Sequence, residues 1–194
     1  MKVVAFNGSP RKNGNTAILL RYAIRELENE GIETELVQLG GKKIRGCTAC
    51  MKCLENRDKQ CAIDNDIVNT CIEKMIAADG IILGSPVYFT DVTAEMKALI
   101  DRSGFVSMAN GGLFRRKVGA VAIALRRAGA MHTADTLVHF LLASDMILTG
   151  FPGIGLGSAI GEVEQDREGV ERMMAIGKNM AWLLKAVDLA RRTG

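Results

Sequence analysis

Short apolar runs that stop at turn residues alternate along this chain with stretches whose apolar positions recur every three to four residues. Residues 3–6 are wholly apolar and end at Asn7-Gly8-Ser9-Pro10, as expected of a strand buried on both faces. Over residues 15–30, Ala17, Leu20, Tyr22 or Ala23, Ile24 and Leu27 fall at helical spacing, and Gly31 supplies the stop. Residues 33–39 alternate polar and apolar, as an outer strand with one wetter face does. Residues 46–64 follow neither period and read as a loop. A helix is predicted over 66–78 with Asn65 or Asp64 as its N-cap, then an apolar strand over 80–84 closed by Ser85-Pro86. The second half repeats the alternation: helix 93–103, strand 118–125, helix 131–143 and a short strand at 146–149. A long helix over 162–192 follows, with Arg191 and Arg192 in its last turn. Five strands alternating with five helices predict an α/β protein with a parallel sheet covered on both faces. With no repeat, linker or low-complexity tract, a single domain is expected over residues 1–194, with a cysteine-rich insertion at about 44–64.

Composition narrows the function classes. The 194 residues are 48% hydrophobic and 24% charged, which argues against disorder and allows one full core. With 25 basic and 22 acidic residues the formal charge is +3, too mild to imply nucleic acid, and 5% aromatics argues against a base-stacking platform. The longest apolar candidate, 137–151, is broken by His139, Ser144 and Asp145, short of the roughly 20 residues a membrane span needs. The first apolar run is too short for a signal-peptide core. A cytoplasmic protein with reduced thiols, and with neither nucleic acid nor membrane as partner, is the expectation.

Residues 7–16 join the first strand to the first helix. Gly8 and Gly14 permit close backbone approach, Ser9 and Thr16 carry hydroxyls, Arg11 a cation, and a helix N-terminus follows. Such a loop suits a phosphate dianion. It is neither a Walker A loop, since Asn15 stands where the lysine belongs, nor a Gly-x-Gly-x-x-Gly fingerprint. After the third strand, Pro86-Val87-Tyr88-Phe89 offers two aromatics beside a turn, which suit either a planar ring or plain loop packing. After the fourth, Arg126-Arg127-Ala128-Gly129 offers charge and backbone N–H groups, or equally a helix-start turn with solvated arginines.

Taken together, Gly-Ser-Pro-Arg-x-x-Gly-Asn-Thr at 8–16, Gly-Ser-Pro-Val-Tyr-Phe at 84–89 and Lys97-x-x-x-Asp101-Arg102 resemble the flavodoxin-like NAD(P)H-dependent FMN reductases across nearly the whole chain. The resemblance implies a flavodoxin-like five-stranded parallel sheet in the order 2-1-3-4-5. It implies FMN, with its phosphate at Ser9, Arg11, Asn15 and Thr16. Pro86, Val87, Tyr88 and Phe89 would border the ring, and Arg127, Ala128 and Gly129 its far edge. The flavin would carry the chemistry, so no side chain is named as catalytic.

Five cysteines are an odd set, and four of them, Cys47, Cys50, Cys53 and Cys61, fall close together. In a reducing compartment such a cluster reads as metal ligands or redox chemistry. The C-x2-C-x2-C run can bring three thiolates to the corners of an iron–sulfur cubane, with Cys61 as the fourth. Zinc is the main rival, although it usually takes two separated C-x2-C units, and free thiols are the third reading. The arrangement is similar to the iron–sulfur flavoproteins, a branch of the FMN reductases, and implies a 4Fe-4S cluster on Cys47, Cys50, Cys53 and Cys61. The seven-residue gap before Cys61 sits at the long end of that branch's range. The branch implies electron transfer between cluster, flavin and an external donor or acceptor, with small-molecule or protein redox partners. It also implies a homodimer or homotetramer with the flavin site completed by a neighbouring subunit. The alternatives are an NAD(P)H-dependent FMN or quinone reductase without a cluster, and a non-catalytic flavodoxin-like carrier. Cys71 reads as a small core residue. His139 reads as core or surface, and His132 sits where it can approach a flavin. The Gly153-to-Gly157 tract reads as a flexible loop or an oligomer contact.

Overall fold

In the computed structural model, which describes residues 1–193, three long central strands lie side by side and parallel: β1 (Lys2–Asn7), β3 (Gly80–Pro86) and β4 (Val118–Leu125). Gly194, the last residue of the expected domain, lies outside the described residues. β2 (Glu33–Gln38) pairs with β1 on one side; Glu33 is exposed and the other five residues are half-buried, so it is an outer strand whose burial does not alternate as the sequence pattern does. With β5 at Ile147–Leu148, the sheet order is β2-β1-β3-β4-β5, parallel throughout and flavodoxin-like.

The central strands are continuous apolar runs because each face meets a helical layer. Val4, Phe6, Ile81, Leu83, Val121 and Ile123 enter one core with α3 (Val68–Ala77), α4 (Ala94–Ala109) and α5 (Ala130–Ala143). Their neighbours Val3, Ala5, Ile82, Ala120, Ala122 and Ala124 face α1 (Asn15–Asn29) and α6 (Arg167–Thr193). That second face is rich in alanine, so its helices ride close to the sheet. They also touch each other: a Cβ on Gly177 would lie 2.6 Å from the Ala23 carbonyl. Cys71 is buried in the first core, where burial pushes its thiol up to about 12.

Several boundaries differ from the sequence reading. The fifth strand position is split into β5 (Ile147–Leu148) and β6 (Gly153–Leu156), both parallel to β4. The tract expected to be a glycine loop is thus largely a strand. Its glycines answer to crowding: a Cβ on Gly153 would lie 2.1 Å from Met173 Sδ, and one on Gly155 2.6 Å from Val163 Cγ2. The last helix begins at Arg167, after a 3₁₀ turn at Glu162–Gln165. Asp166 divides the two by accepting bonds from Gly169 N and Leu156 N. α4 runs on through Gly104 to Ala109, and Val106 and Ala109 of the added turns are buried. Asp66, rather than Asn65 or Asp64, accepts the first amide of α3, from Val68. A short helix, α2 (Lys52–Asn56), stands inside the cysteine loop.

Candidate functional site

The carboxyl ends of β1, β3 and β4 open into one cleft. Its floor is the 8–16 loop, from which Ser9, Arg11, Asn15 and Thr16 line the space. The loop is held by the end of β1. Buried Asn7 accepts from Ser9 N (3.1 Å) and donates to Gln38, and Gln38 Nε2 in turn donates to Ser9 O (2.7 Å). Gly8 N donates to Gly84 O (2.7 Å), and Thr93 Oγ1 to Gly8 O (2.9 Å). Gly40 presses on the loop so closely that a Cβ would sit 2.3 Å from Gly8 O. These bonds leave the start of α1 facing the cleft without a side-chain cap. Beside it, Thr16 Oγ1 is buried with no hydrogen-bond partner. An uncapped helix start carries orphan N–H groups and the positive end of the dipole, so an acceptor-rich anion satisfies both features.

Asn15 has a different task. Its side chain donates to Ala159 O (2.9 Å) and accepts from Gly161 N (2.9 Å), which draws the 157–161 loop against the cleft. Glu162 Oε2 accepts from Ala159 N and Ser158 N, and these bonds hold its carboxyl below the usual range. Arg11 reaches Ser158 O at 3.4 Å. Gly157 and Ser158 join the lining as a result.

From the second loop Pro86, Val87 and Tyr88 line the cleft. Phe89 does not: it is fully exposed at the tip of a Tyr88–Asp91 turn, with φ of 48° followed by 73° at Thr90. Such left-handed φ values in bulky or branched residues store about 1–3 kcal/mol each. From the third loop Arg126, with Ala124 and Leu125 of β4, reaches the lining, whereas Arg127 and Ala128 are exposed beside it. Gly129 starts α5 at φ 90°, where a Cβ would lie 2.9 Å from Val87 Cγ1, so this loop buttresses the second. His132 is exposed, with Nε2 3.7 Å from Asp91 Oδ2, and His139 borders a groove between α4 and α5.

A second cavity lies apart from the first and shares no lining residue with it. Cys47, Cys50, Cys53 and Cys61 all line it, against Phe105 and Val106 of α4. The loop carrying them is exposed and sharply turned, with positive φ at Ala49, Met51, Arg57 and Lys59. Burial raises the Cys53 thiol, whereas the Lys52 backbone N–H lowers that of exposed Cys50. Cys61, the residue least specified by spacing, is the best held. Asn69 accepts from its N–H (2.8 Å) and donates to its carbonyl (2.9 Å). Arg102 Nε donates to its Sγ (3.2 Å). Arg102 is 1% exposed and also reaches Ile63 O, Arg45 O and Asp66. For Asp66 burial works upward, but the bonds from Arg102, Val68 N and Arg45 N hold its carboxyl below the usual range. Among the described residues, no three His, Cys, Asp or Glu side chains converge to hold a single metal ion.

Sequence reasoning singled out Arg126 and Gly157 only as members of their loops, and missed Ser158 in the cleft and Asp66 at the cavity. The glycine tract was a usable signal for the 157–158 loop. Asp66 had none, because its partner lies 36 residues away.

The model of the NADPH-dependent FMN reductase family matches residues 1–158. The chain belongs to this family. It is a flavin-dependent oxidoreductase that works with FMN, built on a flavodoxin-like sheet. It is 40% identical over 196 aligned residues to an iron-sulfur flavoprotein of Methanocaldococcus jannaschii, covering 96% of this chain and 99% of that one. An iron-sulfur flavoprotein of Methanosarcina thermophila is 32% identical, with 98% and 99% covered. Among solved structures, RosB with bound 8-demethyl-8-formylriboflavin-5'-phosphate superposes with a TM-score of 0.76 at 19% identity, over 97% of this chain and 81% of that one. No helix among the described residues is long and apolar enough to cross a membrane.

Proposed function

We propose that this chain is a cytoplasmic iron–sulfur flavoprotein. It binds FMN in the cleft at the strand ends and a 4Fe-4S cluster in the cysteine cavity, and passes electrons to or from an external small-molecule or protein partner. The observation that carries the reading is that all four cysteines line one cavity. A cubane takes one thiolate at each of four irons, so four thiols around one space match its demand. The donor set is all sulfur, which suits iron–sulfur chemistry.

The first cleft fits FMN. The uncapped α1 start, the Thr16 hydroxyl, Ser9 and Arg11 would hold a phosphate dianion, and the orphaned Thr16 Oγ1 would gain an acceptor. Asn15 would act by holding the 157–161 loop. Pro86, Val87 and Tyr88 would line the ring, Arg126 would sit at its edge, and Gly129 would support Val87 from behind. Bound FMN supplies the interconversion of two-electron and one-electron transfer, and the protein orients it. Phe105 and Met108, exposed on α4 beside the cysteine cavity, support a homodimer or homotetramer that covers them.

Anaerobic purification followed by flavin identification and by iron and acid-labile sulfide analysis tests this reading. One FMN and about four irons per chain are expected. Less than one iron per chain overturns the cluster and leaves an FMN or quinone reductase. Stopped-flow mixing with NADH or NADPH then separates an enzyme, whose flavin bleaches directly, from a pure carrier.

A further inference from the structure

Arg102 is an unusual residue to find at 1% exposure, because a buried ion pair is seldom more stable than apolar residues of the same volume. Neutralising Asp66 would need only part of its guanidinium. Nη1 is shared between Asp66 and Arg45 O (3.1 Å). Nη2 goes to Ile63 O (2.6 Å), and Nε to Cys61 Sγ (3.2 Å). The planar fork thus straps residues 45, 61, 63 and 66 of the loop to α4, and one of its N–H groups is directed at a sulfur. A thiol is a weak acceptor and a thiolate a strong one. This donor gains most when Cys61 is a ligand thiolate.

Resting on the cluster assignment above, we propose that Arg102 is the positioning and redox-tuning residue of the Cys61 corner. It fixes Sγ where the fourth iron needs it, and its charged N–H stabilises the reduced cluster over the oxidised one. One-electron reduction adds one negative charge to the cluster and its four thiolates. Hydrogen bonds to the sulfurs and nearby positive charge favour that state, and so raise the potential. Arg102 stays protonated throughout, so no proton moves with the electron at this corner.

The test is an EPR-monitored potentiometric titration of the anaerobically purified full chain and its Arg102→Gln and Arg102→Lys variants, with chemical mediators as electron donors and with iron, sulfide and FMN content measured alongside. In Arg102→Gln the equilibrium constant for cluster reduction is expected to fall at least about tenfold, a shift of about 59 mV to lower potential for one electron. The FMN content and potential should stay put, because the two cavities share no lining residue. Arg102→Lys keeps the charge without the fork, and should shift the cluster potential the same way by less. If Arg102→Gln loses its cluster or does not fold, restored iron with a lowered potential in Arg102→Lys supports the proposal. A full cluster at the wild-type potential in Arg102→Gln, or in Arg102→Lys where Gln is not tolerated, overturns it and leaves the cluster assignment intact. A wild-type chain with less than one iron overturns both.

Discussion

The phosphate loop and the cysteine loop solve the same problem, presenting several polar groups to one ligand, in opposite ways. Residues 8–16 hold their shape through a backbone bond to the end of β3 and a bond from the Gln38 side chain of β2, with Ser9, Asn15 and Thr16 buried and no residue at positive φ. The cysteine loop is exposed, has four non-glycine residues in the left-handed region, and is tied down by side chains from outside it, Asn69 of α3 and the buried Arg102 of α4. A site at a strand end inherits its geometry from the sheet. A site on a long loop must import its geometry through a tertiary contact, and its stability then hangs on that contact.

The largest test of this contrast is Asp66→Ala. It strands the Arg102 charge in a buried site and is expected to cost about 3–5 kcal/mol in urea denaturation, while FMN affinity in the folded fraction stays unchanged. Parallel loss of FMN affinity would show that the two loops are coupled. Gly157→Ala attacks the other side. Its Cβ would lie 2.6 Å from Val163 N and 2.8 Å from Asn15 Nδ2, so FMN binding should weaken by at least about tenfold, or about 1.4 kcal/mol, with iron content unchanged. Thr16→Val should move two readouts in opposite directions. Apoprotein stability rises by about 1 kcal/mol as an unsatisfied buried hydroxyl is removed, and FMN binding falls by a few-fold to tenfold in a calorimetric titration.

Acid should reach the cysteine loop through Asp66. Its folded pKa is depressed, so the pair contributes fully above the unfolded carboxylate range near pH 4 and is lost as pH falls through the folded value. The urea midpoint should therefore decline below about pH 4, and this part of the decline should vanish in Asp66→Ala. The smallest effect belongs to Asp101→Asn. Lys97 and Asp101 form an exposed pair one helical turn apart, so the change should be about 0.5 kcal/mol or less in the same denaturation assay.

That last pair shows how far a motif can be read. Lys97, Asp101 and Arg102 stand together in one short pattern, yet two of them form a surface pair and the third organises a cavity. Sequence alone cannot tell which face of α4 meets the loop. The strand and helix order was legible because period two and period 3.6 are local properties. The 8–16 loop was legible because a glycine-bounded polar turn between a buried strand and a helix has few other uses. The split fifth strand was hidden, because Gly153 and Gly155 read as loop residues until α6 and Val163 are seen pressing on them.

By itself the sequence determined the alternating α/β order, the location of a phosphate loop at the first strand end, and four thiols within fifteen residues. All of these follow from residue type and short-range spacing. Only the tertiary structure decided that Asn15 braces a loop 144 residues away, that Phe89 points to solvent while Tyr88 lines the cleft, and that Cys61 joins its three neighbours. The first and last depend on which distant donor or acceptor meets a polar group, and the Phe89 outcome on the turn closed by Tyr88 and Asp91; chain spacing carries none of that information.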